Sequence, residues 1–218
     1  VAFDISAACA GFIFAMNIVE GFFKAGIYKT ALIIGAETLS KVTDWSDRGT
    51  CVLFGDGAGA AVLKVEETGI IDMMMGADGT KGDVLACTSR TVGNFLTGTK
   101  PELGFMTMDG QEVFKFAVRK VPESVMELLQ RTGTKKEDIK YYVLHQANER
   151  IIEAAARRLK EPMEKFPMTI GQFGNTSTAS IPLLLNDMIQ KDMLKRGDKI
   201  IMSGFGAGMT WGAVLMEW

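Results

Sequence analysis

Hydrophobic and polar positions along the chain switch repeatedly between a two-residue and a helical period, and the switches lay out the elements. Residues 1–5 (VAFDI) alternate well enough for a short strand, and the small-residue run 6–11 leads into an apolar helix ending near Gly26. Residues 30–37 (TALIIGAE) form a β-rich run, and residues 51–66 and 69–78 read as two strands joined by a turn. Residues 79–108 are rich in Gly and Thr with no helical period, so a long loop with at most a short hairpin is expected. Loops of that length are more often functional than idle, which makes it a candidate lid or tunnel wall. Asp109 is placed to cap a helix over 111–131, within which Pro122 predicts a kink or a break, and Gly133 ends it. Residues 141–146 (YYVLHQ) read as a strand, 148–160 as an amphipathic helix stopped by Pro162, and 171–182 as a second turn into a helix reaching Leu194. Residues 199–208 and 212–218 close the chain as a strand pair around a glycine-rich turn.

The same order appears twice: small-residue turn, buried helix, Gly-marked stop, strand, glycine-rich turn, strand, over residues 6–66 and again over 174–218. Two similar halves are implied, and the alternation of β and α elements in both points to a layered α/β fold. A helix, a strand and another helix precede the second copy, whereas the first follows Val1 almost at once. By that symmetry roughly 70 or more residues, about two βα units, are expected ahead of the first copy. The division falls at residues 1–108, carrying the first turn and the long loop, and 109–218.

Composition narrows the class. With 47% hydrophobic and 23% charged residues the chain is a compact globular protein, and a net charge of −2 argues against a dedicated nucleic-acid binder. No uninterrupted apolar run approaches the roughly 18 residues needed to span a bilayer, and no secretory leader pattern is visible, so a cytoplasmic protein is expected. Three cysteines, Cys9, Cys51 and Cys87, are too few and too scattered for a disulfide framework or a zinc site.

Three residues could carry chemistry. Cys9 lies in SAACAGF, where small neighbours allow a helix N-terminus to be buried and a substrate to approach sulfur. The helix dipole and unpaired N–H groups there favour thiolate; by position alone Cys9 is equally a space-filling core residue. His145, the single histidine, ends an apolar strand in LHQAN, a place where α/β folds deliver functional groups, although a lone His is more often structural. One His excludes multi-histidine metal sites, and no metal is expected. Asn175, in GNTSTASIP, sits in the turn that is the symmetry mate of the Cys9 turn, where Asn after Gly is commonly just a cap. The glycine run GDGAG (55–59) lacks the GxGxxG spacing and enters a strand, so dinucleotide binding is not expected. GFGAG (204–208) can either present backbone N–H groups to an oxygen or make a tight hairpin.

Taken in order, AACAGF, DRGTxxxFGDGAGA, HQAN, GNTSTASIP and GFGAGMTWG resemble the type III β-ketoacyl-acyl-carrier-protein (ACP) synthases of the thiolase superfamily, over essentially the whole chain. The resemblance implies a five-layered α-β-α-β-α fold with two pseudo-symmetric halves, the first incomplete, in a homodimer without a cofactor. It implies that Cys9 attacks an acyl-CoA primer, with the N–H groups of Cys9 and Ala207 as oxyanion hole. His145 and Asn175 would then stabilise the enolate formed as malonyl-ACP loses CO2, in the condensation that initiates fatty acid biosynthesis. The family commonly has glycine at position 207. By the same resemblance Arg48, Met108, Gly110, Asn148 and Phe205 match substrate-binding positions, and Lys115, Arg150, Arg157 and Arg158 match a basic patch for the acidic carrier protein. Two alternatives stay open: a related Cys-His-Asn enzyme of polyketide or quinolone type, and a non-catalytic thiolase-fold fragment.

Overall fold

The computed structural model describes residues 1–88, 92–101 and 104–218. Its first regular elements are the helix α1 (Gly11–Lys24), the strand β1 (Thr30–Glu37) and the strand β2 (Gly57–Lys64). β1 and β2 pair antiparallel from Thr30↔Lys64 to Glu37↔Gly57 as a two-stranded ribbon. β3 (Ile70–Ala77) follows, and the long loop contains a short antiparallel pair, β4 (Leu85–Cys87) with β5 (Met106–Met108). Residues 89–91 and 102–103 of that loop lie outside the described residues. Then come α2 (Gly110–Thr132), β6 (Ile139–Leu144), α3 (Glu149–Leu159), the short α4 (Ile170–Phe173), α5 (Ser180–Gln190), β7 (Lys199–Gly206) and β8 (Thr210–Glu217).

The second sheet has the order β3-β8-β7-β6, with β6 parallel to β7 and the other pairs antiparallel. Both faces of this sheet are buried, and the two-residue period sorts its side chains into two cores. Tyr142, Leu144, Ile201, Phe205, Ala213 and Leu215 pack with α2 and α3. Val143, Ile200, Met202 and Val214 point the other way and pack with Phe12, Ile13 and Met16 of α1 and Ile181, Leu184 and Met188 of α5. The ribbon lies beyond α1 and α5, with Ile33 in the second core. On the ribbon's far face Leu32, Ile34 and Val62 are exposed, and no helix among the described residues covers it.

Four expectations are corrected. Residues 1–6 belong to no strand, because a strand needs a ladder partner and none of the described strands pairs with them. β2 and β3 are not a hairpin: β2 pairs with β1, and β3 crosses to β8, where its ladder and its Met73 and Met74 are satisfied. α5 stops at Gln190, short of Leu194. α2 runs unbroken through Pro122, although the ring removes the N–H that would bind the carbonyl of Val118. That carbonyl accepts a hydrogen bond from Arg158 Nη1 of α3 at 3.2 Å, which replaces the lost bond. Elsewhere the caps follow the sequence. Asp109 accepts from the N–H groups of Gln111 and Glu112, and Gly133 ends α2 at φ +67.

Candidate active site

Cys9 sits in a single 3-10 turn (Ala8–Ala10) directly before α1, and only 8% of its surface is exposed. Ala8 is held at φ 46, and the turn closes with Ala10 N–H on the Ala7 carbonyl at 3.1 Å. Thr210 Oγ1 donates to the Ala7 carbonyl (3.1 Å) and Thr178 Oγ1 to the Ala8 carbonyl (2.8 Å). Among the described residues the N–H groups of Cys9 and Ala207 donate to no backbone acceptor. The end of β7 leaves the Cys9 N–H clear, since a Cβ on Gly206 would stand 2.6 Å from Cys9 N and 3.1 Å from Ala10 N.

Burial outweighs the helix terminus at the sulfur. It pushes the Cys9 thiol up to about 11, the Ser177 hydroxyl and Cys9's own N–H oppose this, and the nearby Glu37 carboxylate adds to the rise. The expectation of a resting thiolate is therefore corrected: the dipole's partial charge is smaller than the cost of desolvating a full anion.

His145 follows the last residue of β6, and its N–H donates to the Ser203 carbonyl at 2.8 Å, extending the β6–β7 ladder. Its ring meets Phe205 edge-on at 5.5 Å, and Nδ1 lies 2.6 Å from Ser180 Oγ. Ser180 Oγ also accepts the Gln146 N–H (3.4 Å); when its own proton is given to Nδ1, the imidazole hydrogen sits on Nε2. Burial lowers this histidine to about 3, so the ring is neutral at physiological pH.

Asn175 is fixed through its backbone: its N–H donates to Leu53 O (2.8 Å) and its carbonyl accepts from Gly55 N (2.9 Å). The GDGAG run serves this approach, because a Cβ on Gly55 would lie 2.2 Å from the Phe173 carbonyl oxygen. Asn175 Oδ1 accepts the Ser177 N–H at 2.9 Å, which orients the carboxamide and leaves Nδ2 free to donate. The structure joins the three candidates through short links. Ser177 donates its N–H to Asn175 and its hydroxyl lies near enough to the Cys9 sulfur to lower that thiol, while Phe205 and Gly206 connect His145 to the Cys9 turn.

A cavity of about 1030 Å3 reaches Cys9, Ser177 and Ala207, extends along residues 1–5 and the open face of the ribbon, and includes Leu39, Val42, Phe54, Leu85 and Met106 in its apolar lining, whereas His145 and Asn175 do not line it. Leu85 and Met106 come from the β4–β5 pair, so part of the long loop does form a wall of this cavity.

The remaining candidates are more dispersed. Phe205 is buried beside His145, whereas Met108 and Gly110 lie at the junction of β5 and α2. Asn148 caps α3, its Oδ1 accepting Arg150 N–H at 2.9 Å, and Arg48 is exposed in the loop between β1 and β2. Lys115 lies on α2 and Arg150, Arg157 and Arg158 on the adjoining α3. Arg158 is committed to the Val118 carbonyl, Arg157 faces Glu153 at 3.7 Å, and Lys115 faces Glu112 at 2.8 Å. Ser177, Ser180, Glu37 and Gly206 escaped the sequence reading. Aligning the two repeats residue by residue would have exposed Glu37 and Gly206, which end equivalent strands.

This fold, with a buried cysteine at a helix start beside a cavity, is that of a condensing enzyme of the acyltransferase class with a thiolase fold. Residues 3–79 match the family described as 3-oxoacyl-[acyl-carrier-protein] synthase III, and residues 129–218 match its C-terminal part. A β-ketoacyl-ACP synthase III of Clostridium novyi is 52% identical over 218 residues, covering 99% of this chain and 67% of the relative. The crystal structure of the 3-oxoacyl-ACP synthase III from Aquifex aeolicus VF5 superposes with a TM-score of 0.91 at 45% identity, covering 100% of this chain and 67% of that one. The priming β-ketosynthase of the R1128 polyketide pathway matches with a TM-score of 0.89 at 34% identity, covering 99% and 65%. The chain belongs to the 3-oxoacyl-ACP synthase III family.

Proposed function

We propose that this chain condenses an acyl-CoA primer with malonyl-ACP, the reaction that initiates fatty acid biosynthesis, with Cys9, His145 and Asn175 as its catalytic residues. In the first half-reaction the Cys9 sulfur attacks the primer thioester while the Cys9 and Ala207 N–H groups stabilise the oxyanion. The bond to CoA breaks, and the thiol proton ends on the departing CoA sulfur. In the second, malonyl-ACP loses CO2, and the electron pair is held as an enolate by hydrogen bonds from His145 Nε2 and Asn175 Nδ2. The carbanion attacks acyl-Cys9, releasing 3-oxoacyl-ACP and a cysteine thiolate that takes a proton from solvent.

The observation that carries this reading is the pairing of two neutral donors, each locked by a serine of one turn: Ser180 on His145 and Ser177 on Asn175. A neutral imidazole donates without demanding a proton, which suits stabilisation of an enolate better than acid catalysis. Arg48, Met108, Gly110, Asn148 and Phe205 belong to this reading as primer and pantetheine contacts, and Lys115, Arg150 and Arg157 as the carrier-protein surface. A homodimer in the cytoplasm, the two halves divided at residues 108 and 109, and the absence of a cofactor complete it. The 52% identity to the Clostridium novyi β-ketoacyl-ACP synthase III, against 34% to the polyketide priming enzyme, supports the fatty-acid reading over the polyketide one.

The test is intact-mass analysis after incubation with a series of acyl-CoA esters, alongside malonyl-ACP decarboxylation by Asn175→Ala and His145→Ala. Acylation confined to Cys9, with decarboxylation lost in both variants, is expected. Decarboxylation at the unmutated rate in either variant refutes the role of that residue, and absence of acylation favours a non-catalytic protein.

A further inference from the structure

The two halves superimpose in register down to single residues. Ala8 at φ 46 matches Ser177 at φ 50, and the Ala10 to Ala7 bond of 3.1 Å matches the Ala179 to Thr176 bond of 3.1 Å. Each turn is a 3-10 segment, Ala8–Ala10 or Ser177–Ala179, running directly into a buried helix, α1 or α5. Cys9 therefore corresponds to Thr178, not to Asn175. β1 and β7 correspond as well: both are eight residues long with a glycine sixth, Gly35 and Gly204. A Cβ on Gly35 would meet the Thr178 backbone at 2.9 Å, and one on Gly204 would meet the Cys9 carbonyl at 3.4 Å. The eighth residues are Glu37 and Gly206.

This register sets two N–H groups in equivalent places with opposite fates. Beside Cys9 the strand ends in a residue without a side chain, and the Cys9 N–H is left open to the cavity wall. Beside Thr178 the strand ends in Glu37, whose Oε1 accepts the Thr178 N–H at 3.3 Å. Thr178 is further tied to the first turn by its hydroxyl on the Ala8 carbonyl at 2.8 Å. It lies between Ser177, which touches the thiol and Asn175, and Ser180, which touches His145.

We propose that Glu37 is a positioning residue that closes the symmetry-related second oxyanion pocket, and by holding the Thr178 N–H fixes the turn that aims Asn175 and Ser177 at the reacting centre. Of the two symmetry-related turns only the Cys9 turn thus keeps its N–H open, and the closed one serves as an anchor. The inference rests on the roles given to Cys9 and Asn175 above. It adds a charge effect of its own, since an anion beside the sulfur opposes a second anion there.

The test compares Glu37→Gln, whose carboxamide oxygen still accepts the Thr178 N–H, with Glu37→Ala, which removes the acceptor, using Asn175→Ala as control. Malonyl-ACP decarboxylation is expected to fall about 10- to 100-fold in Glu37→Ala, as a displaced donor does. Glu37→Gln should restore most of it. Both variants should also shift the pH profile of Cys9 alkylation by iodoacetamide toward lower pH, a change that a merely structural residue would not produce. The other titratable groups around Cys9 do not confuse that readout. His145 stays neutral through the range, and Lys199 of β7, Glu217 of β8 and Glu20 and Lys24 of α1 lie toward the element ends remote from Cys9. Decarboxylation by Glu37→Ala within threefold of the unmutated enzyme, Glu37→Gln as impaired as Glu37→Ala, or an unmoved alkylation profile overturns the inference. If Asn175→Ala itself decarboxylates normally, it is the underlying assignment that fails.

Discussion

Gly206→Ala isolates the oxyanion pocket at Cys9, because it adds one methyl group where the structure leaves no room. The new carbon would stand 2.6 Å from Cys9 N, 3.1 Å from Ala10 N and 3.2 Å from Ala8 Cβ. None of these is the end of a flexible side chain, so the turn must move away from β7. Overpacking of this kind costs about 1 to 3 kcal/mol of stability. The chemical effect should be larger. A methyl group over the Cys9 N–H removes one of two donors to the oxyanion, and loss of one such donor costs about 2.7 to 4 kcal/mol in the transition state, or on the order of 100- to 1000-fold. Stopped-flow measurement of CoA release during Cys9 acylation reads the rate, and a melting curve reads the stability. The expected result is a rate collapse with a melting temperature lowered by about 2 to 12 °C, as about 1 to 3 kcal/mol implies for a chain of this size. Acylation within about threefold of the unmutated rate would refute the assignment of the Cys9 N–H to the oxyanion hole.

Four further outcomes follow from the same geometry. Ser180→Ala removes the partner that sets the His145 tautomer; decarboxylation should fall about tenfold, the equivalent of one ordinary hydrogen bond, with Cys9 acylation less affected, and equal losses in both steps would count against it. Arg158→Ala should lower thermal stability by about 1 kcal/mol, because the Val118 carbonyl freed by Pro122 loses its donor. Arg157→Ala should instead raise KM for the carrier protein in a salt-dependent way, and a salt-insensitive KM would remove the basic patch from the proposal. His145 is held at about 3 against an ordinary 6.5, so the unfolded chain binds the extra proton across that window and stability falls as pH drops through it. Each unit is worth about 1.4 kcal/mol, so the melting temperature of the unmutated protein should decline more steeply below pH 6.5 than that of His145→Gln. Parallel declines would show that the histidine is not buried in its neutral form.

The sequence by itself determined what is local. β-rich apolar runs placed β1, β6, β7 and β8, and the caps at Asp109 and Gly133 set the ends of α2, because strand propensity and cap chemistry act over a few residues. The small-residue turns and the single histidine likewise made Cys9, His145 and Asn175 stand out before any coordinates were known. The tertiary structure decided whatever depended on a partner distant along the chain. Among the described residues no strand pairs with residues 1–6, β3 pairs with β8 across some 140 positions, and Arg158 rescues the turn that Pro122 would have broken. The charge state of Cys9 belongs to the same group, since desolvation by both halves overrides the dipole of its own helix. So does Glu37, whose acceptor role exists only because β1 ends against a turn 141 residues away. Period and propensity are written in neighbouring residues; burial and hydrogen-bond partners are properties of the assembled chain, and they set the electrostatics of the site.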